Sequence, residues 1–203
     1  MHRLRAQLAR FEDAFPGFHT EIVEGSVVAR PVRPCDGRTV RRLWAILEPQ
    51  LPEGWEMVSD VLFPFDDAHE LCPDLAVIPA EAVAVNRIAY PADLIELVIE
   101  VVSPESARGD YEVKDRQYAA RGIRNYLIFD PRRGHVVSLR NPGPGGYRRR
   151  DVFPYGGEVT VEARIGRLTV GTSCLPLSPE SPGGGRRTPL PPPPGGPGGG
   201  PAS

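Results

Sequence analysis

The stretch from Leu94 to Pro131 constrains this chain more than any other. It opens on Leu-Ile-Glu-Leu-Val-Ile-Glu-Val-Val-Ser-Pro, passes through Asp110, Lys114 and Gly122, and closes on Asn-Tyr-Leu-Ile-Phe-Asp-Pro. Two short apolar runs rich in Val and Ile flank a segment with helical spacing, which predicts strand, helix and strand. Such a unit, completed within about 35 residues, predicts parallel neighbouring strands joined by a right-handed crossover. Strand alternation puts Ile95, Leu97, Ile99 and Val101 on one face and Leu94, Glu96, Val98, Glu100 and Val102 on the other. Glu96 and Glu100 then share a face about 13 Å apart, too far to hold one ion directly. A bare carboxylate in a buried strand is costly, so Glu100 needs a partner.

The rest of the chain supplies a frame for that unit. Leu4, Leu8, Phe11 and Phe15 recur at helical spacing, and Pro16-Gly17 stops the helix. Thr20 to Ala29 reads as a hairpin turning at Glu24-Gly25, with Glu21 in its first strand. Pro31 to Gly37 reads as loop, and Val40, Leu43, Trp44 and Leu47 as a second helix ending before Pro52. Trp55 to Phe65 is extended, Asp66 to Leu71 reads as loop, and Cys72 to Pro79 is a short buried strand with Asp74 at its entry. Ala80 to Tyr90 is undecided between a helical turn and a connection. Asp110 suits the N-cap of a helix from Tyr111 to Arg121, and Gly122 its C′ position. Tyr111, Lys114 and Tyr118 share one stripe of that helix. His135 to Arg140, Tyr147 to Phe153, Glu158 to Val161 and Arg167 to Thr172 read as antiparallel strands.

The fold class expected is therefore α/β with a mixed central sheet, flanking helices and antiparallel hairpins. Its extent is residues 1–177, one domain. Residues 178–203 contain nine Pro and eight Gly with Leu190 as the one large aliphatic side chain. Such a tail buries too little apolar surface to offset its ordering entropy and is expected to be disordered. Cys35, Cys72 and Cys174 have no zinc or redox spacing, and no run reaches the roughly 18 apolar residues of a membrane span. A cytoplasmic protein with reduced thiols is the expectation. A net charge of −2 argues against a strongly basic, nonspecific nucleic-acid binder and leaves a local patch open.

Of 24 basic residues, Lys114 alone is lysine. Arginine serves solvation, ion pairing and phosphate contact in this chain, whereas a compact ammonium acting as a point charge needs lysine. A hard divalent cation needs one or two carboxylates and takes its other ligands from water or substrate. Asp74 and Glu100 can supply that pair with Lys114 beside them, a set that suits phosphodiester hydrolysis. The plain alternative is that Asp74 caps a turn and Glu100 pairs with an arginine. His2, His19, His69 and His135 are scattered and read as exposed or satisfied. Arg41-Arg42, Arg132-Arg133 and Arg148-Arg149-Arg150 are candidate phosphate contacts.

Six motifs in register carry a resemblance: Glu21-Ile-Val-Glu-Gly; Pro73-Asp74-Leu-Ala-Val; Leu97-Val-Ile-Glu100-Val-Val-Ser-Pro; Asp110-x-x-x-Lys114; Tyr118-Ala-Ala-Arg-Gly122-Ile; and Tyr126-Leu-Ile-Phe-Asp130-Pro. From Thr20 to about Thr172 the chain resembles the Uma-two family of restriction-type endonucleases, itself similar to the PD-(D/E)XK nucleases. The resemblance implies a restriction-endonuclease-like core and a magnesium site, with manganese as a substitute. It implies Asp74 and Glu100 as metal ligands with the carbonyl of Val101 as a third, and Lys114 and Glu21 as further catalytic residues. The lysine that the wider superfamily carries two residues after the acid is here Val102, and Lys114 on the next helix fits the family's displaced position. Tyr118 and Asp110 are expected just behind this set. One departure is the segment Pro31-Val-Arg-Pro-Cys-Asp-Gly-Arg-Thr, where members often carry a histidine. The partner implied is nucleic acid, DNA in the first instance, and restriction-type relatives imply a homodimer. The alternatives are a nuclease-like module of little turnover that binds nucleic acid or protein, and a hydrolase of small phosphoesters.

Overall fold

A computed structural model describes residues 2–14 and 17–178. Helix α1 (His2–Ala14) buries Leu8, while the expected stop at Pro16 and the Pro/Gly-rich tail beyond Ser178 lie outside the described residues. Strands β1 (Phe18–Val23) and β2 (Ser26–Pro31) pair antiparallel with Val23 opposite Ser26. Glu24 and Gly25, at φ 49° and 72°, form the two-residue turn whose twist matches the strands it joins. Helix α2 (Pro34–Leu47) starts at Pro34, not near Val40 as the apolar spacing indicated. Proline suits a first turn because no N–H is needed there, and the Thr39 hydroxyl bonds the Cys35 carbonyl at 3.0 Å.

Next come β3 (Trp55–Val58), β4 (Phe63–Pro64), β5 (Glu70–Leu71), β6 (Leu75–Pro79) and a single turn, α3 (Ala80–Val83). The segment expected as loop from Asp66 thus ends in a short strand, with Ile22 opposite Glu70 and Phe63 opposite Leu71. After β7 (Leu97–Val101) the chain makes a π-helical turn, Gly109–Val113, that runs into α4 (Lys114–Ala120). Asp110 is therefore not an N-cap; it lies inside the turn with its carboxylate buried. Gly122 does occupy the C′ position at φ 74°. Its amide bonds the Ala119 carbonyl at 2.9 Å and that of Ile123 bonds Tyr118 at 3.1 Å, the two bonds of a Schellman motif. Strands β8 (Asn125–Asp130), β9 (His135–Gly143), β10 (Gly146–Pro154), β11 (Glu158–Ala163) and β12 (Gly166–Gly171) complete the chain.

Six strands form the central sheet in the order β10-β9-β8-β7-β6-β3, with β7 and β8 parallel and the other pairs antiparallel. A smaller sheet, β2-β1-β5-β4, and the β11-β12 hairpin lie apart from it. The near-continuous apolar runs of β7 and β8 follow from burial on both faces. Val98, Val102, Ile128 and Leu139 pack with Tyr118 of α4 and with Phe63, Phe65 and Leu71 of the smaller sheet and its loops. Leu97, Ile99, Val101, Leu127 and Phe129 pack on the other side with Leu43 and Leu47 of α2 and with Val159, Val161, Leu168 and Val170 of the hairpin. Glu100, by alternation, belongs to the face that meets α4 and the smaller sheet.

Helix α4 is tied to the sheet edge through Asp115, which accepts the Tyr147 amide at 3.0 Å and pairs with Arg150 at 2.8 Å. Gly146 sits at φ 121°, and a Cβ there would lie 2.9 Å from Asp115 Oδ1. Gly146→Ala should lower stability by about 1–3 kcal/mol in thermal or urea unfolding, whereas Gly145→Ala, with nothing within 4 Å, should stay within about 0.5 kcal/mol of the parent.

Candidate functional site

The site grows out of the register of β6 and β7. Leu75 lies opposite Ile99 and Ala76 opposite Val98, so one further step sets Asp74 opposite Glu100 on the same face of the sheet. Backbone pairing gives way there to a side chain, since Asp74 Oδ2 accepts the Val101 amide at 2.7 Å. In extended chain an amide and carbonyl of one residue point to the same edge, so the Val101 carbonyl faces the edge that Asp74 occupies. Glu100 is wholly buried. Its Oε1 accepts from Lys114 Nζ at 2.9 Å and from the Tyr118 hydroxyl at 2.6 Å. Among the described residues its Oε2 has no hydrogen-bond partner although it too is buried.

Lys114 enters from the first residue of α4 and is 1 % exposed. Its ammonium lies 2.9 Å from Glu100, 3.3 Å from Glu21 and 3.4 Å from Asp110. Asp110 and Lys114, four residues apart, are neighbours on the helical surface, and the π-helical turn lies between them; such widened turns recur at functional sites. Glu21 is held from both ends, by Arg30 at 2.8 Å on Oε1 and by Lys114 and the Cys72 amide, at 3.4 Å, on Oε2. Tyr111, expected on the same stripe as Lys114 and Tyr118, instead sends its hydroxyl to Asp130 at 3.1 Å and His135 at 3.2 Å.

Four carboxylates, Glu21, Asp74, Glu100 and Asp110, thus face Lys114 and Arg30, and negative charge is in excess. Burial, with Asp74 and Glu21 nearby, holds the Glu100 carboxyl above the usual range despite Lys114. Burial also raises Asp74, and pushes Asp110 up to about 6. Burial would raise Glu21 as well, but Lys114 and Arg30 together outweigh it and hold that carboxyl below the usual value. For Lys114 burial opposes the charge, yet Glu100, Glu21 and Asp110 outweigh it and keep the amine protonated.

The residues Asp74, Glu100, Lys114, Glu21, Asp110 and Tyr118, expected together, do come together. His19, set aside as scattered, is also here. It stands two residues before Glu21, and the period of a strand puts both on one face, a signal present in the sequence. His19 Nε2 lies 2.6 Å from the Cys72 carbonyl and Nδ1 3.7 Å from Asp60 Oδ1. Burial opposes its protonation, but Asp60 and Cys72 outweigh this and raise its pKa well above the usual value. Arg30 was missed because a lone arginine in a strand carries no signal; register alone places it opposite His19. A cleft of about 530 Å³ opens onto Asp74, lined also by His19, Asp60, Asp36, Arg41 and Trp44. Burial pushes Asp36 up to about 6. The cleft wall includes Val32, Asp36 and Gly37, the segment that departs from the family's histidine pattern.

Among the described residues no three His, Cys, Asp or Glu side chains form a metal-ligand cluster. Two carboxylates on adjacent strands nonetheless fit a hard divalent cation, which needs no more than that from protein. The unpartnered Glu100 Oε2 and the excess of negative charge are the observations in favour. Among the described residues no helix is long and apolar enough to cross a membrane.

Fold and site define the class, a nuclease fold with a mixed sheet carrying acids at the strand ends beside a lysine. The crystal structure of "a putative nuclease belonging to DUF820" from Anabaena variabilis shares this fold. It matches at TM-score 0.53 and 18 % identity, over 70 % of this chain and 80 % of that one. The chain belongs to the Uma2 family, described as "Putative restriction endonuclease", whose model matches residues 5–173. No curated protein matches it.

Asp110 gives the electrostatics a direct test. Its folded pKa of about 6 lies above the usual 3.9 or so, so the folded state binds more protons between these values and stability falls as pH rises through that window. Asp110→Asn, measured by urea unfolding in chelator, should be more stable than the parent by about 1–3 kcal/mol at pH 8, with the difference vanishing near pH 4.

Proposed function

We propose that the protein is a divalent-cation-dependent endonuclease that hydrolyses phosphodiester bonds of DNA, with magnesium as the cation and manganese as a substitute. The observation that carries this reading is Glu100 Oε2, buried and, among the described residues, without a hydrogen-bond partner on the face it shares with Asp74. Asp74 and Glu100, with the carbonyl of Val101, would hold the cation. When bound it neutralises charge developing on the phosphate and lowers the pKa of its water.

The chain's own groups then have separable tasks. The Val101 amide fixes Asp74 through Oδ2. Lys114 and Tyr118 share Oε1 of Glu100, which holds that carboxylate in one orientation and directs Oε2 away from them. Glu21 and Asp110 hold Lys114 as an ammonium, so it acts as a fixed donor and point charge, not as a base. Glu21, with both oxygens committed to Arg30, Lys114 and Cys72, positions the lysine instead of binding the cation. His19 and Arg41 line the cleft in front of Asp74 and give an approaching phosphate positive charge to meet.

Nicking of supercoiled plasmid with magnesium or manganese tests the reading. Asp74→Asn, which keeps an oxygen for the Val101 amide, and Lys114→Met should each slow nicking by on the order of 100-fold or more, and chelation should abolish it. Rates unchanged by both substitutions refute the assigned roles. Tight, salt-dependent DNA binding with no cutting under any divalent ion would instead make the protein a nuclease-like binding module.

A further inference from the structure

A second charged feature lies at the opposite end of the strands that carry the acids. A polar cleft of about 740 Å³ is lined by Arg124, Arg140, Arg148 and Arg164, together with Asn125 and Glu162. The four arginines come from four places: the connection after α4, strands β9 and β10, and the turn between β11 and β12. Asn125 pairs with Leu97, three residues before Glu100, so the cleft is set about 10 Å or more along the strands from the acids. It belongs to a different part of the surface from the cleft in front of Asp74.

The charges there are only partly compensated. Arg140 pairs with Asp151, and Glu162 is engaged by Arg167 at 2.7 Å. Arg124, Arg148 and Arg164 are exposed, and among the described residues none has a carboxylate within 4 Å. The turn that presents Arg164 is anchored from beneath. Its own amide donates to Oε1 of buried Glu96 at 2.8 Å, and Asn125 Nδ2 donates to the Glu162 carbonyl at 3.3 Å. Oε1 of Glu96 is thereby engaged by backbone, and among the described residues the Arg164 guanidinium makes no ion pair. In a chain of net charge −2, three uncompensated guanidinium groups converging on one concavity repel one another unless an anion joins them. Planar guanidinium groups match the paired oxygens of a phosphate.

We infer that this arginine cleft binds backbone phosphate of nucleic acid outside the segment that is cut. The inference rests on the nuclease reading for the identity of its partner, and it adds a binding region remote from the acids. The chemistry it needs is a phosphodiester chain, not a free anion.

The test uses the full chain in chelator, so that binding is read without turnover. Labelled duplex DNA is titrated by fluorescence anisotropy across a salt series, against the parent and an Arg124→Gln, Arg148→Gln, Arg164→Gln variant. The three positions are exposed, and an unchanged thermal midpoint confirms that the variant is folded. The slope of log K against log salt should fall by about 3, close to one for each phosphate no longer neutralised, with binding weakened at least about 10-fold. An unchanged slope overturns the inference, as does a parent that binds no duplex. Displacement of the arginine-dependent binding by inorganic phosphate at matched ionic strength would mark a free-anion site and also overturn it. Failure of the nuclease reading is separate: it is loss of plasmid nicking, with this salt slope and its dependence on the three arginines intact.

Discussion

A single buried ammonium joins the acids of two sheets and a helical turn at one point. Lys114 is the meeting point of Glu100 from the central sheet, Glu21 from the smaller sheet and Asp110 from the turn before α4. Removing it would leave three buried carboxylates facing one another, and breaking a buried pair by deleting one partner typically costs about 3–5 kcal/mol. The same lysine replaced by a well-packed apolar group of similar volume, together with its partners, need not cost stability. The cluster is therefore better explained by what it positions than by what it stabilises. The raised carboxyls of Asp74, Glu100 and Asp110 say the same, since each is a group whose charged form the fold disfavours.

Much of this was legible in the residues, for reasons that can be named. The β7 and β8 pair was readable because full burial writes an apolar run, and the hairpin because two β-prone runs meet at Gly25, which takes a positive φ freely, while Glu24 is carried into one by the turn. Gly122 announced the end of α4 through its conformational freedom. The start of α2 was not readable from apolar spacing, because its first two turns bury Cys35 and Thr39, not large aliphatic residues, and turn Asp36 and Gly37 to the cleft. The π-helical turn was hidden because nothing in a side-chain pattern records one extra residue in a helix. That omission turned Asp110 into an expected cap when its carboxylate points to Lys114.

The site was legible to the same extent and no further. Asp74, Glu100 and Lys114 stood out by rarity: acids in apolar strands and the single lysine among arginines. Arg30 and His19 did not: the hairpin register sets them opposite each other and His19 shares the face of Glu21, but neither residue type is conspicuous where it stands. The arginine triplet at 148–150 shows the limit most plainly. It reads as one basic run, yet Arg149 and Arg150 are consumed by Asp151 and Asp115 while Arg148 alone reaches the cleft with Arg124 and Arg164.

Asp74 closes the ladder between β6 and β7 with its own side chain, and this ties the acids to strand register. Sliding β6 by one residue would carry Asp74 to the opposite face and separate it from Glu100. Inserted or deleted residues can therefore be absorbed in the connection from 80 to 96, but not inside either strand. Through any change of length in that connection, positions 74 and 100 stay opposite each other for as long as the two strands keep their register.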